Sequence, residues 1–170
     1  MLINAILRTS ALLWTLLITA LIGNVIANNV AASGSAMAAV NFTMFVAVLS
    51  WLAALYGLAA AFVSSLSIPV ILLPLDVLAV LFTFIDAIVL AAKLRAPNCG
   101  SINPSDFPSD WIAYGSYDTE KRCREIQAST AFMWFLWVTF SAALFLTFKE
   151  TRGGLGSLRT GRPNMSQVGV

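Results

Sequence analysis

Two long stretches of the chain contain no charged residue. None of Asp, Glu, Lys and Arg occurs between Arg8 and Asp76, and none occurs between Glu125 and Lys149. Most residues in these stretches are apolar, whereas the helices of a water-soluble protein of this size need a charged face because they are only half buried. The pattern therefore predicts an integral membrane protein whose helices face lipid on their outer sides.

Four apolar blocks, separated by polar or small residues, predict four transmembrane helices. They cover about residues 9–26, 40–63, 69–92 and 128–148. Each block has roughly 18 to 24 residues, and at about 1.5 Å per residue that length crosses a hydrocarbon core roughly 30 Å thick. Helices are required because an open strand edge in lipid would leave backbone groups without hydrogen bonds. We expect an all-α integral membrane protein, a four-transmembrane-helix bundle over residues 1–148, followed by a disordered cytosolic tail over residues 149–170.

The first apolar block has a second interpretation as a cleavable signal peptide. Arg8 supplies a basic residue before the apolar run, and the small residues near Ala27 resemble a cleavage site. The run is long for the hydrophobic region of a signal peptide, which favours a retained first transmembrane helix.

The composition narrows the functional classes. The chain has 170 residues, enough for one small domain, and no His, so it has no imidazole base or imidazole metal ligand. No serine lies in a G-x-S-x-G nucleophile motif. No stripe of basic residues indicates a nucleic-acid partner. We therefore expect a protein that is not an enzyme and that uses no cofactor and no metal ion.

The two cysteines determine the expected topology. Cys99 and Cys123 flank the loop between the third and fourth spans, residues 95–124, and the chain has no other cysteine. This favours a disulfide, which requires an oxidising compartment, with two free thiols as the alternative. Lys and Arg are equally numerous at the two membrane surfaces, so the positive-inside rule gives no orientation. The disulfide interpretation makes the loop extracellular and places both termini in the cytosol.

Aromatic residues are spaced along the same loop. The stretch 110–117 contains Trp111, Tyr114 and Tyr117 between polar residues. Trp and Tyr prefer the interface between lipid and water. We expect this stretch to lie on the lipid headgroups as a lid.

Two carboxylates occur within the predicted spans, and both are in the third. Asp76 and Asp86 each cost about 2.5–3.5 kcal/mol to insert, so they should face the bundle interior, about 80° apart on the helix. Arg8 lies at a depth from which it can reach Asp76, whereas Asp86 has no basic partner in the sequence. A proton or cation pathway is one interpretation. The interpretation we favour is a hydrogen bond inside the bundle to a polar residue such as the intramembrane Asn24, or Ser50 or Tyr56.

Small residues recur at helical spacing in the first two spans. Thr19 and Gly23 lie on one face of the first span, and Ala53, Gly57 and Ala61 lie on one face of the second. Such faces let helix backbones approach closely. Packing within the chain is the default expectation, and oligomerisation is the alternative.

The fourth span is dense in aromatic residues. They occupy several faces of the helix, so some must meet lipid. The candidates for lipid contact, including contact with a sphingolipid or sterol, are Phe132, Trp134, Trp137 and Phe140.

Short motifs around the third and fourth spans resemble the fungal non-classical export protein 2 family. Those in the third span are Leu75-Asp76, Phe82-Thr83-Phe84, Val89-Leu90-Ala91, Arg95-Ala96 and Cys99. Those at the entry to the fourth are Arg122-Cys123-Arg124, Gln127-Ala128 and Ala131-Phe132. The end of the chain, residues 166–170, is also similar. Asp76 falls within the family pattern, whereas Asp86 stands where a neutral residue is expected.

The resemblance implies a MARVEL-type four-helix membrane domain. It also implies a plasma-membrane protein of furrow-like fungal microdomains, associated with eisosomes and their scaffold proteins. A role in organising those domains in response to sphingolipid status follows from the same resemblance.

Two functional hypotheses of different class result. The first is a non-enzymatic membrane organiser, a homo-oligomer that interacts with membrane lipids. The second is an oligomeric channel or transporter that uses Asp76 or Asp86, against which four spans offer little room for a pore and no inverted repeat is visible.

Overall fold

The computed structural model contains four α-helices among the residues that it describes. These residues are 2–32, 34–63, 66, 68–95, 98–101, 108 and 111–159, with side chains of the fourth helix described as far as Lys149. The helices are α1 (Leu2–Ala27), α2 (Gly34–Phe62), α3 (Pro69–Leu94) and α4 (Thr119–Arg159). The prediction of an all-helical membrane bundle is confirmed.

The helices form a ring in which each contacts its two neighbours. α1 packs on α2 and α4, and α3 packs on α2 and α4. The connections are short except for the loop between α3 and α4, so consecutive helices are antiparallel. The start of α1, the α2–α3 connection and the end of α4 therefore share one end of the bundle, called here the terminal end. The α1–α2 connection and the long loop share the other, called here the capped end.

All four helices are long and apolar enough to cross a membrane. Within the most apolar window of each, only 28% to 39% of the residues are buried inside the protein. Most of the remaining residues are apolar, and an apolar face that the protein does not cover must be covered by lipid. The chain is therefore a multi-span membrane protein.

Local signals explain where α3 and α4 begin and end. Pro69 occupies the first turn of α3, where a missing N–H has no cost. Arg95 closes that helix in a left-handed conformation, with φ of 58°, and its N–H donates to the carbonyl of Ala91. Asp118 caps α4, because its carboxylate accepts the backbone N–H of Lys121 at 2.9 Å.

The helices extend beyond the predicted spans. α1 begins at Leu2 and α2 at Gly34, and α4 begins nine residues before residue 128. α4 also continues to Arg159, so the disorder expected from residue 149 onward is wrong for residues 149–159. Residues 160–170 lie outside the described part. Hydrophobicity identifies the segment that lipid covers, whereas the helix itself ends where its backbone is capped.

Candidate functional site

A buried ion pair joins α1 to α3 near the terminal end. The two Nη atoms of Arg8 each donate to a different carboxylate oxygen of Asp76, both at 2.6 Å. Both side chains are fully buried. The hydroxyl of Thr147, on α4, donates to the same carboxylate at 3.3 Å. A bidentate pair of this kind combines charge with fixed geometry, so it sets the relative position of the helices that it joins.

Gly57 on α2 provides the space for the Arg8 side chain. A Cβ added at Gly57 would overlap Cζ and Nε of Arg8 and would lie 2.8 Å from its Cδ. Each of the four helices therefore contributes one residue to this cluster. We call Arg8, Gly57, Asp76 and Thr147 the four-helix node.

Asp86 lies toward the capped end, without a cation. It is fully buried, and its Oδ1 accepts the hydroxyl hydrogen of Thr43 on α2 at 2.9 Å. Its Oδ2 has no hydrogen-bond partner among the described residues. The two aspartates of α3 thus differ in chemistry, because Asp76 is held by a guanidinium and Asp86 by one hydroxyl.

Both aspartates bond inside the bundle, as expected, but the three residues named as example partners bond other groups. Asn24 donates to Glu125 on α4, at 2.5 Å, and not to an aspartate. Ser50 donates to the carbonyl of Val46 in its own helix, and Tyr56 donates to the carbonyl of Leu66 in the α2–α3 connection. Burial and polarity identified residues that need partners, but they do not say which helices are neighbours at each depth.

A disulfide closes the capped end. It joins Cys99 to Cys123, with the Cα atoms 5.7 Å apart. Beside it, Trp111 is 3% exposed and its indole N–H donates to the carbonyl of Leu94 at 3.1 Å. Ile112 and Ala113 are fully buried. The expected headgroup lid is therefore wrong for this part of the loop, which packs as a plug between the helix ends because its backbone and indole groups find protein partners there.

The loop is also fixed to the α1–α2 connection. The carbonyl of Gly115 accepts the N–H groups of Val30, at 2.8 Å, and Ala31, at 3.3 Å. Gly115 has φ of 90°, and a Cβ there would overlap the backbone nitrogen of Ala32. Glycine is required at this position for both reasons.

Arg122, at the start of α4, lies under this loop and is 2% exposed. Its Nε donates to the carbonyl of Ile112 at 3.2 Å. Its Nη1 donates to the carbonyl of Val25 and to the side chain of Asn29, at 3.4 Å and 3.2 Å. Its Nη2 is buried and has no partner among the described residues.

Two grooves open beside Arg122, between the end of α1 and the start of α4. The smaller has a volume of about 170 Å³, and its lining includes Asn24, Ser116 and Arg122. The larger has a volume of about 610 Å³, and its lining includes Leu21 and Ala128. Asp118, Lys121 and Glu125 line both.

The small residues predicted to pack helices divide into two groups. Ala53 and Gly57 are buried and Ala61 is partly buried, so this face of α2 points into the bundle. Thr19 accepts the indole N–H of Trp51 at 3.1 Å, which links α1 to α2. A Cβ at Gly23 would meet no atom within 4 Å. The expected close packing at Gly23 is therefore wrong within one copy of the chain.

The aromatic residues of α4 also divide. Phe140 is fully buried, so its expected lipid contact is wrong. Phe132 stacks on Trp14 of α1 with ring centroids 5.7 Å apart. Trp134 and Trp137 surround Phe84 of α3 and remain at least partly exposed. The spacing of rings along one helix does not reveal which face the neighbouring helices cover.

Sequence reasoning missed the residues that act as partners. Thr43 and Thr147 each lie in a long apolar block, and threonine is common in such blocks because it bonds its own helix backbone. Arg122 stands between Lys121 and Cys123, where the sequence does not distinguish a buried base from an exposed one. Gly115 lies in a polar loop, where a glycine often marks special backbone geometry.

Comparisons with known proteins agree with this architecture. The MARVEL family model, described as a membrane-associating domain, matches residues 1–146. Over 141 residues the chain is 36% identical to Non-classical export protein 2 of Saccharomyces cerevisiae, covering 76% of this chain and 79% of that protein. Non-classical export protein 2 homolog 1 of the same yeast is 39% identical over 123 residues, covering 72% of this chain.

A third relative is Non-classical export protein 102 of Candida albicans, 38% identical over 92 residues, which are 50% of this chain and 51% of that protein. The chain spans 64% of the length of the homolog 1 protein, slightly less than two thirds. No solved structure matches the chain significantly. With four membrane-spanning helices and these matches, the chain belongs to the MARVEL family of membrane-associating domains and, within it, to the non-classical export protein 2 family.

Proposed function

We propose that this protein is a non-enzymatic organiser of the fungal plasma membrane, which self-associates and prefers particular lipids at its surface. The observation that carries the proposal is the four-helix node. The charged groups of Arg8 and Asp76 are paired with each other inside the bundle. They hold helices together, and the apolar outer faces are left for lipid and for other copies.

The resemblance to the non-classical export protein 2 family supports a proposal for where in the cell the protein resides. We propose that the protein resides in eisosome-associated furrows of the plasma membrane and contacts the scaffold proteins there. In a fungal cell, a fluorescent fusion should form patches that coincide with an eisosome marker. An even distribution around the plasma membrane would contradict the location.

We further propose that the capped end is extracellular and that both termini are cytosolic. A disulfide such as Cys99–Cys123 persists in an oxidising compartment, which supports this orientation. In a protein with both cysteines replaced, a thiol engineered at Ser116 should react with an impermeant reagent on intact cells, and one at Ser157 should not. Reaction at Ser157 alone would invert the topology.

Self-association is the property to measure first. Two differently labelled populations, reconstituted together in vesicles, should show energy transfer that exceeds random crowding and that unlabelled protein competes away. Gly23 lies where the chain leaves open space, so Gly23→Leu should lower the transfer if this face meets another copy. Ala92→Leu adds similar bulk at an exposed position of α3 and is the matched control. Energy transfer at the random-crowding level at every protein density would refute the organiser, whether or not lipid is retained.

Transport is the second candidate, and one observation favours it. The Oδ2 atom of Asp86 is buried without a partner among the described residues, as a group that exchanges a proton or cation would be. Proton or cation flux into vesicles should then vanish in Asp86→Asn. Wild-type flux equal to that of empty vesicles would remove this candidate.

A further inference from the structure

We propose that the smaller groove at the capped end binds the headgroup of a zwitterionic phospholipid, with Arg122 and Lys121 on its phosphate. This inference deepens the proposed lipid interaction and rests on it. It assigns a position and a headgroup chemistry to a contact that the proposed function leaves general.

The first support is the guanidinium of Arg122. Its side chain is 2% exposed, and its Nη2 has no partner among the described residues although Nε and Nη1 do. A buried donor without an acceptor is destabilising, and the defect is larger for a charged group. Arg122 lines the smaller groove. Its Nη2 is closed to solvent in the unliganded protein, so an oxygen of a bound group supplies the missing acceptor once the guanidinium turns toward the groove. A phosphate oxygen suits a guanidinium best, because the hydrogen bond is then charge-assisted.

The second support is size. The smaller groove has a volume of about 170 Å³. One water occupies roughly 30 Å³ in the liquid, so the groove has the space of about five to six waters. That is enough for a phosphate with a small substituent.

The third support is the balance of charge. Two acids, Asp118 and Glu125, and two bases, Lys121 and Arg122, line the groove, so its net charge is zero. A phosphate between the two bases leaves the two carboxylates to face the rest of the headgroup. A cationic substituent such as ethanolamine fits them, whereas a second negative charge would be repelled.

The fourth support is a path for the lipid chains. The larger groove shares Asp118, Lys121 and Glu125 with the smaller. It adds the Glu120–Arg124 ion pair on its water-facing side and the apolar residues Leu21 and Ala128. Two helical turns deeper on α1 lies Trp14, and one turn deeper on α4 lies Phe132, and these two rings stack. A lipid whose phosphate lies at Arg122 can therefore place its chains along the α1–α4 seam and over this aromatic pair.

The test measures lipid bound to single copies of the full chain in mild detergent. Native mass spectrometry should show about one phosphatidylethanolamine retained per chain. Lys121→Gln should weaken its retention about fivefold, the factor that corresponds to about 1 kcal/mol for one lysine near the headgroups. Lys93→Gln removes a base at the same end of the bundle, on α3, and should leave retention unchanged. Equal retention in all three proteins would overturn the proposal.

Arg122→Lys provides a second variant, because it keeps the charge and loses the Nη2 donor. We expect weaker retention with the disulfide still formed and the helix content unchanged. If this variant does not fold, Lys121→Gln still decides the question, because its side chain is exposed.

Three ligands identify which part of the lipid is recognised. Phosphatidylethanolamine should raise the melting temperature, while diacylglycerol with the same chains and inorganic phosphate alone should not. Equal effects of diacylglycerol would show that the headgroup is not recognised, and equal effects of inorganic phosphate would show a free-anion site. Tighter retention of phosphatidic acid would contradict the charge balance. A monomeric protein that retains the lipid refutes the organiser and not this site, so the two failures are distinguishable.

Discussion

The two ends of the bundle are held together by different chemistry. At the terminal end, an ion pair buried among four helices fixes α1 against α3. At the capped end, a disulfide and a buried loop join the helices, and backbone hydrogen bonds to Gly115 bind the loop to the α1–α2 connection. Charge is strong only where water is absent, whereas covalent and backbone links hold beside water as well. The ion pair therefore lies inside the bundle, where water does not weaken it, and the end that carries the long loop is held by links that do not depend on the absence of water.

The two ends also differ in what they offer to a ligand. At the terminal end, the two Nη atoms of Arg8 bond Asp76, and its Nε is buried against Gly57 without a hydrogen-bond partner among the described residues. The capped end leaves Arg122 incompletely bonded and has polar grooves beside it. We therefore expect ligand contacts at the capped end and stability from the terminal end.

Breaking the node should have the largest effect. Asp76→Asn keeps the shape of the carboxylate but leaves Arg8 buried opposite a neutral group, which typically costs about 3–5 kcal/mol. Asp86→Asn is the matched control, a substitution of the same kind in the same helix, and it should cost far less because Thr43 donates equally well to an amide oxygen. Thermal or denaturant unfolding in one detergent measures both. Equal losses of stability would mean that the Arg8 pair contributes nothing special.

Removing the disulfide should have the next largest effect. The two cysteines are 24 residues apart, and closing a loop of that length stabilises by about 3–4 kcal/mol in the chain-entropy model. The double variant Cys99→Ser/Cys123→Ser should melt at lower temperature and still insert, because the apolar helices govern insertion. Unchanged melting with and without reductant would contradict the contribution.

Two glycines give the smallest effects, with opposite signs. Gly57→Ala should lower the free energy of unfolding by about 1–3 kcal/mol, because the added methyl displaces the Arg8 guanidinium from Asp76.

Gly23→Ala has open space around it, so it should leave the free energy of unfolding unchanged or raise it by up to about 1 kcal/mol, since alanine favours a helix interior. Both glycines lie in small-residue patterns, so only the three-dimensional contacts separate them. A cost for Gly23→Ala would show that this face is covered.

Much of the fold could be predicted from the sequence, and less of its polar chemistry. Apolar blocks of membrane length predicted four helices because lipid allows few alternatives. The pairing of Arg8 with Asp76 could be predicted, since Arg8 is the only base before Asp76 in the chain. The partners Thr43 and Thr147, and the burial of Trp111, were not, because they depend on which helices and loops are adjacent. A contact between helices or loops that are distant in the sequence leaves no local pattern from which it can be predicted.

The most direct test of the account exchanges the ion pair for apolar side chains. Replacing a buried pair on both sides is often neutral or stabilising, whereas removing one partner is not. The double variant Arg8→Met/Asp76→Leu should therefore regain most of the stability lost by Asp76→Leu alone, and it should still self-associate in vesicles and form plasma-membrane patches. A double variant that folds and melts like the wild type but no longer associates would contradict the account, because the charges would then act in the function and not only in the fold.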